Sequence, residues 1–592
     1  MSTEFRLGGH LDGSGVRFAL FTTTARQCQV RLFDEAGNPT STTPLDAWGD
    51  GFFGRRIEGL GAGARYKFVL DERELPDPFA RFLPDGVHGP ALVVASSYEF
   101  LNQAPPIRSL AAQVIYELHV GTFTREGTYD AAREQLAYLA DLGVTTIELM
   151  PLAAFPGQRG WGYDGVALFA PFVAYGEPDA LRRFVDEAHR HGLSVLLDVV
   201  YNHLGPAGNY LGAYSPRYFT DAYQNAWGAT PAFADQPMRR YVHENVHYWL
   251  REFRFDGFRL DATHAMFDPS EEHVIRELSR AVREAAPQAL LIAEDERNDP
   301  GCITELGCNA VWADDFHHQV RVTLTGERDG YYGSYVPGVA DLARTIERGW
   351  LYEGQTSPVS GRPRGEPADM LPPEAFVYCI QNHDQVGNRA LGTRLNHEVS
   401  LQAYCLASAL LLFLPMTPML FMGQEWATKS PFLFFTDHEP ELGAQVTAGR
   451  RREFAAFAAF SEPTQLSAIP DPQHFETFER SKLDWGELNL EPHSRVLRLY
   501  RDLLALRRDD PVLNSPCERA RLVTRTQAAV LAVRRTSADG QASRLLLANF
   551  APIAVPLSGL AWPIDAAATL WRSGPLNEGM LEAHSALICV AP

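Results

Sequence analysis

ALRRFVDEAHRHGLSVLLDVVYNH, residues 180–203, reads as a helix, a glycine stop and a buried strand. Gly192 closes the helix as a C-terminal cap. The run SVLLDVV has no polar alternation, which is the pattern of a strand covered on both faces. Polar residues, Asn202 and His203, stand where that strand ends. The same unit recurs on both sides. Upstream are VIYELHV (114–120), the helix AAREQLAYLADLG (131–143) and TTIELMP (145–151). Downstream are a helix over about 239–253, FDGFRLDA (255–262), ELSRAVREAAP (277–287), ALLIAEDE (289–296), AFVYCIQNHD (375–384) and TPMLFMGQE (417–425). Alternation of this kind over some 400 residues calls for parallel strands with crossover helices. Polar side chains keep appearing at strand ends: Asn202, His203, Asp261, Glu294, Asp314, His383, Asp384 and Glu425. A (β/α)8 TIM barrel gathers its site at one mouth in that way. A doubly wound sheet would collect its ligand at one switch point, and no G-x-G-x-x-G follows a first strand here.

The flanks read differently. GVRFALFTT (15–23), CQVRLFD (28–34) and ARYKFVLD (64–71) alternate apolar and polar residues between turn clusters, so residues 1–100 are expected to form an N-terminal β-sandwich. A Pro-containing link, 101–110, follows. The barrel is expected over 110–512, closing with the amphipathic helix HSRVLRLYRDLLALRR (493–508). Residues 325–375, rich in Gly and Pro, read as a long loop or an insertion. AAVLAVRRT (528–536), SRLLLANF (543–550) and ALICVAP (586–592) predict a small C-terminal antiparallel β-domain over 513–592.

With 53 basic and 73 acidic residues the net charge is −20, which argues against a nucleic-acid partner and suits a neutral substrate. The longest apolar stretch, Ala407–Met422, contains two prolines and is too short to span a bilayer, so no membrane partner is expected. No basic segment followed by an apolar one opens the chain, so a cytoplasmic protein is expected. Seven cysteines show no metal-ligand spacing and read as buried free thiols.

Asp261, Glu294 and Asp384 would meet at the barrel mouth. Carboxyl groups gathered there suit glycosidic bond cleavage, which needs one protonated and one ionised. Arg259 lies two residues before Asp261, so strand alternation sets both on one face, and the guanidinium would keep Asp261 ionised. Apolar flanks around Glu294 would raise its pKa. His203 and His383 could donate hydrogen bonds to sugar hydroxyls. Singly, each of these residues is more often a cap, a surface pair or a core group. The argument rests on their recurrence at successive strand ends.

Four segments, DVVYNH (198–203), GFRLDATH (257–264), IAEDE (292–296) and QNHDQ (381–385), resemble in order the signature segments of the α-amylase superfamily, glycoside hydrolase family 13. The resemblance covers about 110–510. It implies Asp261 as nucleophile, Glu294 as general acid/base and Asp384 as transition-state stabiliser. Arg259, Asp198, Asn202, His203 and His383 fall on supporting positions. It also implies a glycogen-binding type of N-terminal module; the chemistry requires no metal, the short loop after His203 argues against the calcium that many amylases hold near Asn202, and nothing in the sequence suggests an organic cofactor. Further segments, among them NAVWADDFHHQV (309–320) and MGQEWATKSPFLFFTDH (422–438), resemble the trehalose-releasing branch of the family. That implies maltooligosyltrehalose and related α-glucans as substrates, and work beside the enzyme that forms maltooligosyltrehalose. The glucan-branching members share the GTF, GWGYD and GQE elements and are the alternative. Trp161, Tyr163, Trp312, Asp314, Asp315, His317, His318 and Trp426 are the candidates for sugar contacts.

Overall fold

The computed structural model describes residues 6–591 apart from 96–97, 106–107, 226–227, 455–465, 561, 563–567 and 575–578. Part of the Pro-containing link and the chain's first five residues therefore lie outside the described residues.

Eight strands close into a barrel: Ile115–Leu118, Thr146–Leu149, Ser194–Val199, Gly257–Leu260, Leu290–Ala293, Ala310–Trp312, Phe376–Tyr378 and Thr417–Phe421. Every neighbouring pair is parallel, and the ring closes where Ile115 pairs with Met419. Alternate residues point inward. Ile115, Leu196, Ile292, Ala310, Val377 and Met419 pack into one apolar cluster in the interior. Two residues further along their strands, toward the C-terminal ends, the inward positions turn charged at Glu117, Asp198 and Glu294. The interior is thus an apolar plug beneath a polar floor, and the floor faces the mouth.

Crossover helices cover the outside: Pro178–Arg190, Gln236–Glu252, Val274–Ala285, Asp314–Thr325, Leu401–Phe413 and His493–Asp509 among them. Leu401–Phe413 is apolar on all sides because it lies between the helix His493–Asp509 and strands of the C-terminal sheet. It supplies residues 407–413 of the apolar stretch, and the eighth barrel strand supplies residues 417–421. Among the described residues no helix is long and apolar enough to cross a membrane.

Two expectations need correction. The helix expected over 131–143 is two short pieces, Tyr129–Arg133 and Leu136–Leu142, although Gly143 caps the second at φ 106° as its position implied. Residues 325–375 are not all loop. They hold a 3-10 turn, Gly330–Ser334, and a helix, Val339–Arg348, whose buried Val339, Leu342, Ala343 and Ile346 give it an apolar face.

The N-terminal residues form two antiparallel sheets. One runs Gly8–Asp12, Gly15–Phe21, Phe52–Glu58, Asp46–Gly49, and the other Pro39–Pro44, Cys28–Phe33, Arg65–Leu70, Arg73–Leu75. They dock on the loop after the third barrel strand, where Thr22 Oγ1 donates to the Tyr214 carbonyl at 2.7 Å. The C-terminal sheet has five strands, Leu522–Gln527, Val530–Thr536, Ser543–Asn549, Ser585–Ala591 and Thr569–Arg572. Its buried Arg535 donates to the Phe413 carbonyl at 2.8 Å, fastening the sheet to the barrel. All seven cysteines are free; six are buried and Cys405 is half-buried.

Gly257 opens the fourth barrel strand at φ +150°, and a Cβ there would lie 2.0 Å from the Leu290 carbonyl oxygen on the next strand. Neither backbone can retreat without breaking a ladder that carries two site residues. Gly257→Ala is therefore expected to lower the folding stability by roughly 3 kcal/mol. The urea midpoint of the variant measures this, and an unchanged midpoint would contradict the packing described.

Candidate active site

The fourth and fifth strands carry the centre of the site. Their register pairs Leu260 with Ala293, so the next residues, Asp261 and Glu294, leave adjacent strands at the same level. The ladder continues past the strand ends: Glu294 N donates to the Leu260 carbonyl at 3.0 Å and Asp261 N to the Val199 carbonyl at 3.1 Å. Ala262 then turns left-handed at φ 40°, ψ 57°, a conformation that costs a non-glycine residue about 1 kcal/mol. The turn aims its N–H at Glu294 Oε2, 2.8 Å away.

Arg259 is fully buried and joins the floor together. Its Nη1 donates to Asp198 at 2.8 Å and to Asp261 Oδ1 at 2.7 Å, and its Nη2 lies 2.8 Å from Glu294 Oε2. One guanidinium thus stands against both carboxyl groups, hydrogen-bonded to Asp261 through Nη1 and in charge contact with Glu294 through Nη2. Its Cζ lies over the Trp312 ring, 4.3 Å from the ring centre. Asn202 Nδ2 holds the other Asp261 oxygen at 2.7 Å.

The two carboxyls are pushed in opposite directions. Burial raises the Asp261 pKa, but Arg259, the Asn202 amide and His203 outweigh it and hold the group below the usual carboxylate range. Burial lifts Glu294 well above that range, and the charges of Asp261 and Asp384 add to the lift against the pull of Arg259. A pair split in this way suits Asp261 to the ionised role and Glu294 to the protonated one. Asp384 is a third of the way exposed, accepts from Asn388 Nδ2 at 3.1 Å and lies 3.5 Å from His383 Nε2.

A chain of contacts links the remaining residues. Tyr163 donates its hydroxyl to Asp198 Oδ2 at 2.6 Å, and His383 Nε2 lies 2.8 Å from that hydroxyl oxygen. The His383 and Tyr163 rings stack at 5.1 Å. Burial, together with the Asp261 charge, pushes Asp198 up to about 6 against Arg259 and the Tyr163 hydroxyl.

Several sequence candidates are placed elsewhere. Both ring nitrogens of His203 face protein acceptors, Asn202 Oδ1 at 2.5 Å and the Tyr163 carbonyl at 3.0 Å, so the ring orients Asn202 instead of reaching for a sugar. Trp426 is fully buried against Trp485 and Glu487 and presents no face to the mouth. Asp315 is fully buried too: it receives the Tyr335 hydroxyl at 2.6 Å and the Leu351 and Tyr352 amides at 2.7 and 3.0 Å, which anchors the insertion to the barrel. His318 is enclosed by Tyr331, Tyr332 and Tyr335. His317 is buried and pairs with Asp314 at 3.2 Å. Of this group Asp314 alone keeps partial exposure, and the His317 contact outweighs burial to hold it ionised. Trp161 and Trp312 are wall residues. Trp161 stacks on Phe432 and meets His383 edge-on, with its indole N–H on the Leu433 carbonyl. Glu425 is buried and held by the Tyr116 and Tyr138 hydroxyls, each at 3.0 Å.

Sequence reading missed Glu117, on the first barrel strand, whose carboxylate takes both the His383 N–H and its Nδ1. The available signal was an acid at an inward position of an apolar strand, since a buried carboxylate needs partners.

Comparison with known proteins narrows the kinship. The family model described as Alpha amylase, catalytic domain, matches residues 75–225, and Carbohydrate-binding module 48 (Isoamylase N-terminal domain) matches residues 6–86. The chain is 52% identical over 542 residues to malto-oligosyltrehalose trehalohydrolase of Deinococcus radiodurans, covering 91% of this chain and 88% of that protein. It is 27% identical over 468 residues to a 1,4-alpha-glucan branching enzyme of Corynebacterium jeikeium, covering 71% and 62%. A crystal structure titled putative alpha amylase from Salmonella typhimurium superposes with a TM-score of 0.89 at 38% identity, covering 99% of each chain.

Proposed function

The chain belongs to the malto-oligosyltrehalose trehalohydrolases of the α-amylase family, and from that membership we propose that it hydrolyses the α-1,4 bond next to the terminal trehalose unit of maltooligosyltrehalose. The products are trehalose and a maltooligosaccharide. The observation that carries this reading is the pair of carboxyl groups beside one guanidinium, with surroundings that push Asp261 below and Glu294 above the ordinary carboxylate range.

In the proposed reaction Asp261 attacks the anomeric carbon of the glucose that precedes trehalose. Glu294 gives its proton to the departing O4, and trehalose leaves. Glu294, now a carboxylate, takes a proton from water, which opens the Asp261 ester and restores the starting state with retention. Asp384 holds hydroxyls of the distorted sugar, contacts that strengthen toward the transition state. Tyr163 offers a ring beside that sugar, and Asp314 is the candidate for trehalose hydroxyls. Asp198, Asn202, His203 and His383 act behind them by fixing Arg259, Asp261 and Tyr163. The division into 1–100, 110–512 and 513–592 is proposed as the working unit. Work in the cytoplasm, beside the enzyme that forms maltooligosyltrehalose, fits seven free thiols.

The test supplies maltotriosyltrehalose and, alongside, the uncapped oligosaccharide of equal length. The expected result is trehalose from the capped sugar at a rate at least about 100-fold above cleavage of the uncapped one, since a built leaving-group pocket supplies a few kcal/mol of discrimination. Equal rates, or new α-1,6 branches on amylose in place of trehalose, would overturn it.

A further inference from the structure

His383 and Glu117 meet beneath the mouth, each 1% exposed. Glu117 Oε2 receives the His383 backbone N–H at 2.9 Å, and Glu117 Oε1 lies 2.5 Å from Nδ1. The other ring nitrogen lies 2.8 Å from the Tyr163 oxygen. Tyr163 has one proton, and at 2.6 Å from Asp198 Oδ2 that proton is committed. The hydroxyl oxygen can then only accept, so Nε2 must carry a hydrogen. A carboxylate at Nδ1 requires a second one. Two N–H groups on one ring make an imidazolium.

We propose that Glu117 is a positioning residue for the reaction: it fixes His383 as a doubly protonated imidazolium, which orders the Tyr163 hydroxyl onto Asp198 and so steadies the guanidinium that grips Asp261 and Glu294. The proposal rests on the hydrolytic reading above for its catalytic consequence, while the protonation itself does not.

Charged and titratable groups face the ring from every side. Glu117 comes from the first strand, with His119 just beyond it; Glu148 comes from the second, Asp198 from the third and Arg259 from the fourth. Asp384 follows in the ring's own segment, and Tyr163 covers one face. Burial and Arg259 oppose the charged ring; Asp384 and Glu117 outweigh them and push His383 up to about 9. Glu148 pairs in register with Glu117, and burial with the Glu117 charge lifts it well above the carboxylate range, which disfavours a second negative charge there. A neutral residue in place of Glu117 leaves burial as the dominant influence, and His383 then titrates near or below its ordinary value.

The test has two arms. Long-range proton–nitrogen NMR of the sugar-free native protein at about pH 7.5, with His383 assigned by its loss in His383→Asn, is expected to give both ring nitrogens protonated. One bare nitrogen would overturn the proposal, whatever the variants do. In Glu117→Gln, which keeps shape and removes charge, kcat on maltooligosyltrehalose at about pH 8 is expected to fall roughly 10- to 100-fold, with KM changed less than about threefold. The deficit should shrink toward about pH 5.5, where solvent recharges the ring. A deficit constant across pH, or none, would contradict it; a structural role alone would give the constant one. If the native protein releases no trehalose while the spectrum shows an imidazolium, the hydrolytic reading fails and the protonation assignment stands.

Discussion

Asp261→Asn is expected to lower trehalose release by about 10⁴-fold or more, with little loss of fold. The amide fills the carboxylate's volume and accepts from Arg259 Nη1, which now sits 2.7 Å from Oδ1. It cannot form the glycosyl ester. The change also takes away one of the charges that lift Glu294, so the acid loses part of its bias toward the protonated form. Both consequences act on kcat, whereas KM, set by contacts along the oligosaccharide, should move little. Steady-state trehalose release and a thermal melt of the variant measure the two sides. A variant within tenfold of native activity would place the nucleophile on another residue.

Glu294→Gln is expected to cost about 10³-fold on maltooligosyltrehalose, the usual worth of a positioned general acid. An aryl maltooligoside with an acidic phenol as leaving group needs no proton, so its first step should lose less than about tenfold. The pH dependence separates the two carboxyls. Asp261 is held below the ordinary range, so the acid-side limb of activity lies below an ordinary carboxylate value as protonation disarms it. Glu294 is held well above that range, so activity persists to neutral pH and falls as its proton leaves. In Glu294→Gln the alkaline limb should vanish for the aryl substrate, because Gln has no proton to lose. A limb that stays in place would assign it to another group, with His383 the next to test.

Much of this molecule was readable before its coordinates. The run SVLLDVV announced a strand buried on both faces, and the recurrence of such runs with helices announced the barrel. Alternation placed Arg259 and Asp261 on one face, whereas the level shared by Asp261 and Glu294 follows from the register between two strands, which no single strand reveals. What resisted reading depends on contacts between distant segments. Nothing local separates Asp314, partly exposed, from Asp315, buried and anchoring the insertion, because adjacent residues on a helix point in different directions. Trp426 and Trp161 are aromatic in segments that suit a sugar, yet tertiary packing claims both rings. The helix Val339–Arg348 hid among glycines and prolines whose turns flank it. Glu117, an acid at an inward strand position, signals a buried carboxylate in need of a partner, but the strand does not say that the partner lies 266 residues away.

Retaining release of trehalose can be read from one NMR time course of maltotriosyltrehalose with the native protein. Trehalose signals are expected to rise together with the α-anomer of maltotriose, the β-anomer following only by mutarotation. A β-anomer that leads, or maltotriose without trehalose, would contradict it.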